Sequence, residues 1–181
     1  MLLALITALL TVIADIMSKA WIAARYELYH TEELIPGILN ITNIANDGIA
    51  FGWLDNARWL FMLATAVIIL VLLYFSVFVK GYHKIVYLCA GAVLGGGLGN
   101  FIDRIFTLGK YDKAQCVVDF IDFCAFPELW KWTFNVADVA VCIGVGMFAL
   151  YLIILDKKCF ENGMKSVVFE EKKNGGNKTD E

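Results

Sequence analysis

Histidine, proline and serine are nearly absent from this 181-residue chain, and each shortage closes a chemical route. The two histidines, His30 and His83, stand in different parts of the sequence, and no His-Glu-x-x-His occurs. A zinc hydrolase of the usual kind therefore lacks its ligands. Ser18, Ser76 and Ser166 are the only serines, and none sits in a Gly-x-Ser-x-Gly turn, so a serine nucleophile has no supporting context. Five cysteines are scattered without metal spacing. Cys89 and Cys142 fall inside apolar runs and read as small hydrophobes, and Cys159 lies in the tail. Cys116 and Cys124 share one segment, but spacing alone leaves their pairing open. A cysteine nucleophile there would have only His30 as a partner, with no local signature. Charge is also scarce, at 18% of residues, with a net charge of −3 and no clustered basic face, which argues against a nucleic-acid partner. Gly95-Gly96-Gly97 lacks the Lys-Ser/Thr of a phosphate loop.

What the chain has is apolar length. It is 60% hydrophobic with a mean hydropathy of +0.68, the composition of a membrane protein. Four runs are long enough to cross a bilayer: residues 1–24, 59–79, 85–106 and 133–155. The expected fold is an all-α membrane protein, a four-transmembrane-helix bundle in one catalytic domain over residues 1–155. A small strand-containing extracytoplasmic segment is expected within Pro36 to Asp55, where asparagines and glycines interrupt the apolar pattern. The two outer segments would be 25–58 and 107–132. In the second, Phe120, Phe123, Phe126, Trp130 and Trp132 would anchor an aromatic loop at the headgroup level. Residues 156–181 are polar and Gly-containing, the composition of a disordered cytoplasmic tail. Lys80, His83 and Lys84, with Lys157 and Lys158, put those ends inside, so both termini are expected to be cytoplasmic. The first run is expected to be retained as a span rather than cleaved as a signal, because Asp15 and Lys19 stand where small neutral residues are needed.

The few polar residues inside the spans fall at one depth. At ~1.5 Å per residue, Asp15 lies ~21 Å from Met1, Asn100 ~22 Å from Ile85, and Asp138 ~26 Å from Leu155. Asp15 and Lys19 are i,i+4, as are Asn100 and Arg104; Asn135 and Asp138 are i,i+3. Each pair shares a helix face, so three spans aim polar groups at one layer near the outer surface. Asp15 with Lys19 reads as a self-satisfied, supporting ion pair, and Asp103 beside Arg104 as facing the interface. Gly91, Gly95 and Gly99 recur every four residues, the pattern of close helix packing. Carboxylates are the abundant resource on the outer side, with Asp119 in the second outer segment and Asp138 at the head of the last span. Two carboxylates that meet share a proton and activate water.

Five blocks together resemble the lipoprotein signal peptidases, the aspartyl type called signal peptidase II. They are Asp15-Ile16-Met17-Ser18-Lys19, Asn46-Asp47-Gly48-Ile49-Ala50-Phe51-Gly52, Gly95-Gly96-Gly97-Leu98-Gly99-Asn100-Phe101-Ile102-Asp103-Arg104, Val117-Val118-Asp119-Phe120 and Phe134-Asn135-Val136-Ala137-Asp138. The resemblance implies an aspartic endopeptidase with Asp119 and Asp138 as its catalytic dyad. It implies supporting or substrate-binding roles for Asp15, Lys19, Asn46, Asn100, Arg104 and Asn135, and no metal or other cofactor. The implied substrate is a diacylglyceryl-modified prolipoprotein, cut just before its lipidated cysteine, at the outer face of a bacterial cytoplasmic (inner) membrane. Membrane lipids are the other expected partners, and the cyclic peptide globomycin the expected inhibitor. The alternatives are a proton-coupled transporter and a non-enzymatic membrane assembly factor. A proton relay should carry polar groups through a whole span. Here the inner two-thirds of every span is nearly empty of them.

Overall fold

The computed structural model describes residues 2–46, 58–106, 116–128 and 132–156. The Asp47 to Gly52 part of the second block, Trp130 and the tail from Lys157 onward lie outside them. The described residues form four helices: α1 (Leu2–Arg25), α2 (Arg58–Phe78), α3 (Lys84–Phe106) and α4 (Val136–Tyr151), the last continued by a wider π turn over Leu152–Asp156. Leu2–Arg25, Lys84–Phe106 and Val136–Ile154 are long and apolar enough to cross a membrane; Met62–Phe78 within α2 is a shorter apolar helix. Their outward faces are apolar: Leu9, Leu10, Leu70, Val71 and Ile153 are each at least 60% exposed. In water such a surface would drive association, whereas hydrocarbon is its natural solvent.

Helix α3 is the hub, because glycine lets three neighbours approach it. A Cβ on Gly95 would lie 2.6 Å from the Ala8 carbonyl oxygen and 2.7 Å from Thr11 Cβ, both on α1. Gly91 and Gly99 face Ala4 and Asp15 in the same way, so the four-residue glycine repeat is the α1 seam. Gly96 lies against Ala137 and Val141 of α4, while Gly97 faces Ile69 of α2. The tightness differs from seam to seam. A methyl on Gly97 would sit 3.5 Å from the Ile69 side chain, an ordinary contact. Gly95→Ala should therefore cost about 1–3 kcal/mol as α1 is forced away, and Gly97→Ala less than about 0.5 kcal/mol. Thermal unfolding in detergent reads the difference; equal midpoints for the two variants would contradict the seam.

Among the described residues the strands form a four-stranded antiparallel sheet in the order β1 (Thr31–Ile35), β2 (Leu39–Asn46), β3 (Val117–Phe123), β4 (Thr133–Phe134). It corrects three expectations. The strands begin at Thr31, before Pro36, and Pro36-Gly37 forms the hairpin turn. Gly37 has φ +67°, and the Ile38 N–H donates to the Ile35 carbonyl at 3.0 Å, a type II turn that needs glycine at its third position. Secondly, Asp119 lies in a strand, not in a loop. Val118 and Phe120 turn inward against Ile22 of α1, so Phe120 is core at 8% exposure and not a headgroup anchor. Phe126 and Trp132 stay exposed, at 60% and 53%, and suit that role. Thirdly, the last helix starts at Val136 and not at residue 133, since Thr133 and Phe134 pair with Asp122 and Ile121. Cys116 and Cys124 flank the seven residues of β3; at ~3.3 Å per residue they stand ~26 Å apart, too far for a bridge.

Candidate active site

Asn135 is the pivot of the polar layer, and the local sequence explains its position. It is the N-cap of α4, with extended backbone angles of φ −129° and ψ −178°. Its side-chain oxygen accepts the Asp138 N–H at 2.9 Å, and its own N–H donates to Asp138 Oδ2 at 3.1 Å. This reciprocal pair is a capping box, with aspartate in place of the usual Glu or Gln. Asn135 and Asp138 therefore form a cap and not a stripe within the span. The cap locks the Asp138 carboxylate over the first turn of α4. The Asn135 amide nitrogen is left to point away from the helix, and it donates to Asp119 Oδ1 at 2.6 Å and to Asn100 Oδ1 at 3.0 Å.

Strand alternation supplies Asp119. Val118 and Phe120 turn toward α1, so Asp119 projects from the opposite face of β3. Asp119 lies opposite Ile44, and Asn46, at the end of β2, donates its amide to Asp119 Oδ2 at 2.6 Å. Both oxygens of a carboxylate that is 2% exposed are thus held by asparagine amides. Burial nonetheless pushes Asp119 up, from 3.8 to about 6, with the nearby Asp138 charge adding to the rise; the Asn46 and Asn135 amides and the Lys19 charge act against it.

Beneath the two aspartates lies an ion cluster. Lys19 Nζ donates to Asp15 Oδ2 at 2.6 Å and to Asn100 Oδ1 at 2.9 Å, and it pairs with Asp103 Oδ2 at 2.8 Å. Lys19 is thus buried between two carboxylates on two helices, and Asp15 with Lys19 is not a closed i,i+4 pair. Asp15 Oδ1 in turn accepts the Ala137 N–H at 2.9 Å, which ties α1 to the positive end of α4. Asn100 has its amide orientation set by this cluster: its oxygen receives Lys19 and Asn135, so its nitrogen donates to Asp138 Oδ1 at 2.7 Å. A chain of directed bonds runs from the buried ammonium through Asn100 to Asp138, and through Asn135 to Asp119.

Seven of the eight singled-out residues thus share one network: Asp15, Lys19, Asn46, Asn100, Asp119, Asn135 and Asp138. Arg104 differs, since its guanidinium donates to the Asn100 backbone carbonyl at 3.3 Å. Sequence reasoning passed over Asp103, which it read as facing the interface. The i,i+3 spacing of Asn100 and Asp103 was the available signal. Asn43 was also missed; it is 1% exposed and donates to the Tyr26 carbonyl at 2.8 Å, fastening β2 to the end of α1.

The arrangement holds two carboxylates, aligned by asparagine amides, where a small sheet meets three apolar helices. Comparison with known proteins sharpens that picture. The family model described as Signal peptidase (SPase) II matches residues 7–154. The lipoprotein signal peptidase of Symbiobacterium thermophilum is 35% identical over 156 residues, covering 86% of this chain and 97% of the relative. That of Halalkalibacterium halodurans is 34% identical over 154 residues, covering 84% and 93%. Among solved structures, a bacterial membrane enzyme determined by the in meso method at 1.9 Å resolution superposes with a TM-score of 0.73 at 33% identity, covering 84% of this chain and 93% of that one. A second such enzyme, at 2.3 Å resolution, gives a TM-score of 0.70 at 33% identity, covering 83% and 87%. The chain belongs to the signal peptidase II family.

Proposed function

We propose that this chain is an intramembrane aspartic endopeptidase that removes the signal peptide from diacylglyceryl-modified prolipoproteins, cutting before the lipidated cysteine. The observation that carries the mechanism is the shared grip of Asn135 on Asp119 and Asp138. The pair holds one proton, and Asp119 is the member whose burial favours keeping it. Asp138 takes a proton from water as that water attacks the scissile carbonyl. Asp119 donates a hydrogen bond to the carbonyl oxygen, where negative charge develops. The tetrahedral intermediate collapses when the leaving nitrogen receives the proton that Asp138 accepted. Asn46 and Asn100 hold the two carboxylates in register throughout, while Arg104 keeps the end of α3 in shape around Asn100. Four spans, cytoplasmic termini and a site near the outer face complete the proposal, on the lysine bias at residues 80–84 and 157–158. The catalytic domain would cover residues 1–155.

The test is cleavage of a diacylglyceryl-modified lipobox peptide by the purified full chain, with the unlipidated peptide as control. Cleavage of neither peptide would remove the proposal. The pH dependence tests the shared proton. kcat/KM should be bell-shaped, with its upper limb near pH 6, where Asp119 gives up its proton. A flat profile between pH 4 and pH 8 would exclude that mechanism. Stability should follow the same group. Its folded-state value of about 6 lies above the ordinary 3.8, so the fold gains from proton uptake. That gain is complete below pH 3.8 and is lost as the pH rises through about 6. Asp119→Asn should remove this part of the slope.

A further inference from the structure

The outer end of α1 carries a cation that the aspartate site does not use. Arg25 is the last residue of the helix, and its guanidinium carbon lies 5.9 Å from the centre of the Trp21 ring and 5.7 Å from that of Tyr26. Tyr26 stacks in turn on His30, with ring centres 5.4 Å apart and planes at 16°. We propose that Arg25, set against these rings, binds the phosphodiester of a phospholipid headgroup in the outer leaflet, and so fixes the depth of α1 in the membrane. The outer side is that of the topology proposed above; the contact itself is independent of any peptide cleavage.

Three observations carry it. The first is depth. At ~1.5 Å per residue, Trp21 lies ~29 Å and Arg25 ~35 Å from Leu2 along α1. Hydrocarbon is ~30 Å thick, so the indole falls at its edge and the guanidinium among the headgroups. Below the cation runs a track for an acyl chain. Ile13, Met17 and Trp21 precede Arg25 at intervals of four residues, and they are 44%, 66% and 54% exposed. A lipid whose phosphate meets Arg25 lays a chain along that row, which a soluble phosphate has no means to use.

The second is unused bonding capacity. Among the described residues no carboxylate stands within ion-pair distance of Arg25, whereas Lys19, ~9 Å below it on the same helix, is held by two. The rings position the charge but supply no acceptor oxygen. A guanidinium presents a planar fork of N–H donors that matches a pair of phosphate oxygens. Glu27, Glu32 and Glu33 follow in the next turn and strand, so this end of the molecule has no positive field to draw anionic lipid from a distance. What remains is a local contact to the phosphate, a group that anionic and zwitterionic phospholipids share.

The third is rigidity. Asn43 of β2 fastens the turn that follows α1. Its side-chain amide donates to the Tyr26 carbonyl at 2.8 Å, its carbonyl accepts the Tyr29 N–H at 2.7 Å, and its N–H donates to the His30 carbonyl at 3.0 Å. The turn holds Tyr29 at φ +66°, a conformation that a tyrosine rarely adopts, and leaves that ring 62% exposed. The Tyr26 backbone is therefore fixed to the sheet, and Arg25 lies against a ring that does not wander. A phosphate bound there sets Lys19 ~9 Å and Asp15 ~15 Å below the phosphate plane.

The experiment is photo-crosslinking of the full chain in nanodiscs that hold equal amounts of a phospholipid and a phosphate-free galactosyl diacylglycerol. A photo-crosslinking phenylalanine at position 17 reads the lipid beneath Arg25. One at position 70, where Leu70 is 63% exposed on α2, reads the bulk bilayer. Position 17 should capture phospholipid in about threefold excess or more over glycolipid, and position 70 the two equally. Arg25→Gln should bring the ratio at position 17 to that at position 70. Trp21→Leu, which keeps the charge but removes its platform, should lower the ratio about twofold. Phosphatidylglycerol and phosphatidylethanolamine should give the same result, and inorganic phosphate in the buffer should not change it. Equal capture of both lipids by the wild-type chain, or a preference that survives Arg25→Gln, would overturn the assignment. So would a preference shown for phosphatidylglycerol alone, which is diffuse charge attraction, or one removed by inorganic phosphate, which is a site for a soluble anion. No cleavage is measured, so each of these failures leaves the peptidase reading standing.

Discussion

Replacing either Asp119 or Asp138 by asparagine should abolish cleavage of the lipidated peptide, with kcat lowered by about 10⁴-fold or more. The two losses should not add in the double variant, because the carboxylates act on one water and one carbonyl as a unit. The fold should survive in both. Asn at 138 keeps an oxygen to accept the Asn135 N–H, so the helix cap remains. At 119, an amide replaces one acceptor oxygen by a donor, so one of the bonds from Asn46 and Asn135 is lost. Above about pH 6, where Asp119 is ionised, a desolvated charge leaves with it, which offsets part of that cost. Thermal unfolding and cleavage rate, measured on the same preparations, separate chemistry from folding. Turnover within tenfold of wild type in either variant would remove that residue from the mechanism. Asp138→Ala makes a useful contrast: it should lose the same activity and a further ~0.5–2 kcal/mol of stability, because the capping box goes as well.

Lys19→Met should be the most damaging change for stability, at about 3–5 kcal/mol. The methionine fits the volume, but two carboxylates, Asp15 and Asp103, lose their shared cation. Asp15 is fully buried and, among the described residues, keeps the Ala137 N–H as its remaining donor. A second consequence reaches the aspartates. Without the ammonium, the Asn100 oxygen retains only Asn135 as donor, and the orientation that aims its nitrogen at Asp138 weakens. Activity should fall with stability. Adding Asp15→Asn to Lys19→Met should recover part of the unfolding midpoint by removing a buried charge that has lost its cation. A midpoint for Lys19→Met equal to wild type would show that the cluster is solvated in the membrane and does not hold the bundle.

Four apolar helices, three of them of spanning length, and the glycine seam were legible from composition and period alone, because a bilayer demands continuous apolar helices and close approach demands small residues. The common depth of Asp15, Asn100 and Asp138 was legible for the same reason, since a helix converts residue number into height. Asn135-Val136-Ala137-Asp138 also had a local meaning, a cap followed by its third residue, although it was read as part of a span. Sequence could not decide how Asp119 reaches that layer. Its strand exists because β2 and β4 flank it, and those partners lie 73 residues away, by the Asn46–Asp119 hydrogen bond, and 11 residues away, by the pairing of Asp122 with Thr133. Nor could it decide that Lys19 bridges α1 to α3 through Asp103, or that Asn100 faces its nitrogen toward Asp138. Those are properties of helix rotation and of amide orientation, set by which groups can be satisfied together once the helices are packed. The sequence by itself determined which residues were costly to bury and at what height they lie. The tertiary structure alone decided which of them share a hydrogen bond, because a buried polar group must find its partner across elements distant in the chain.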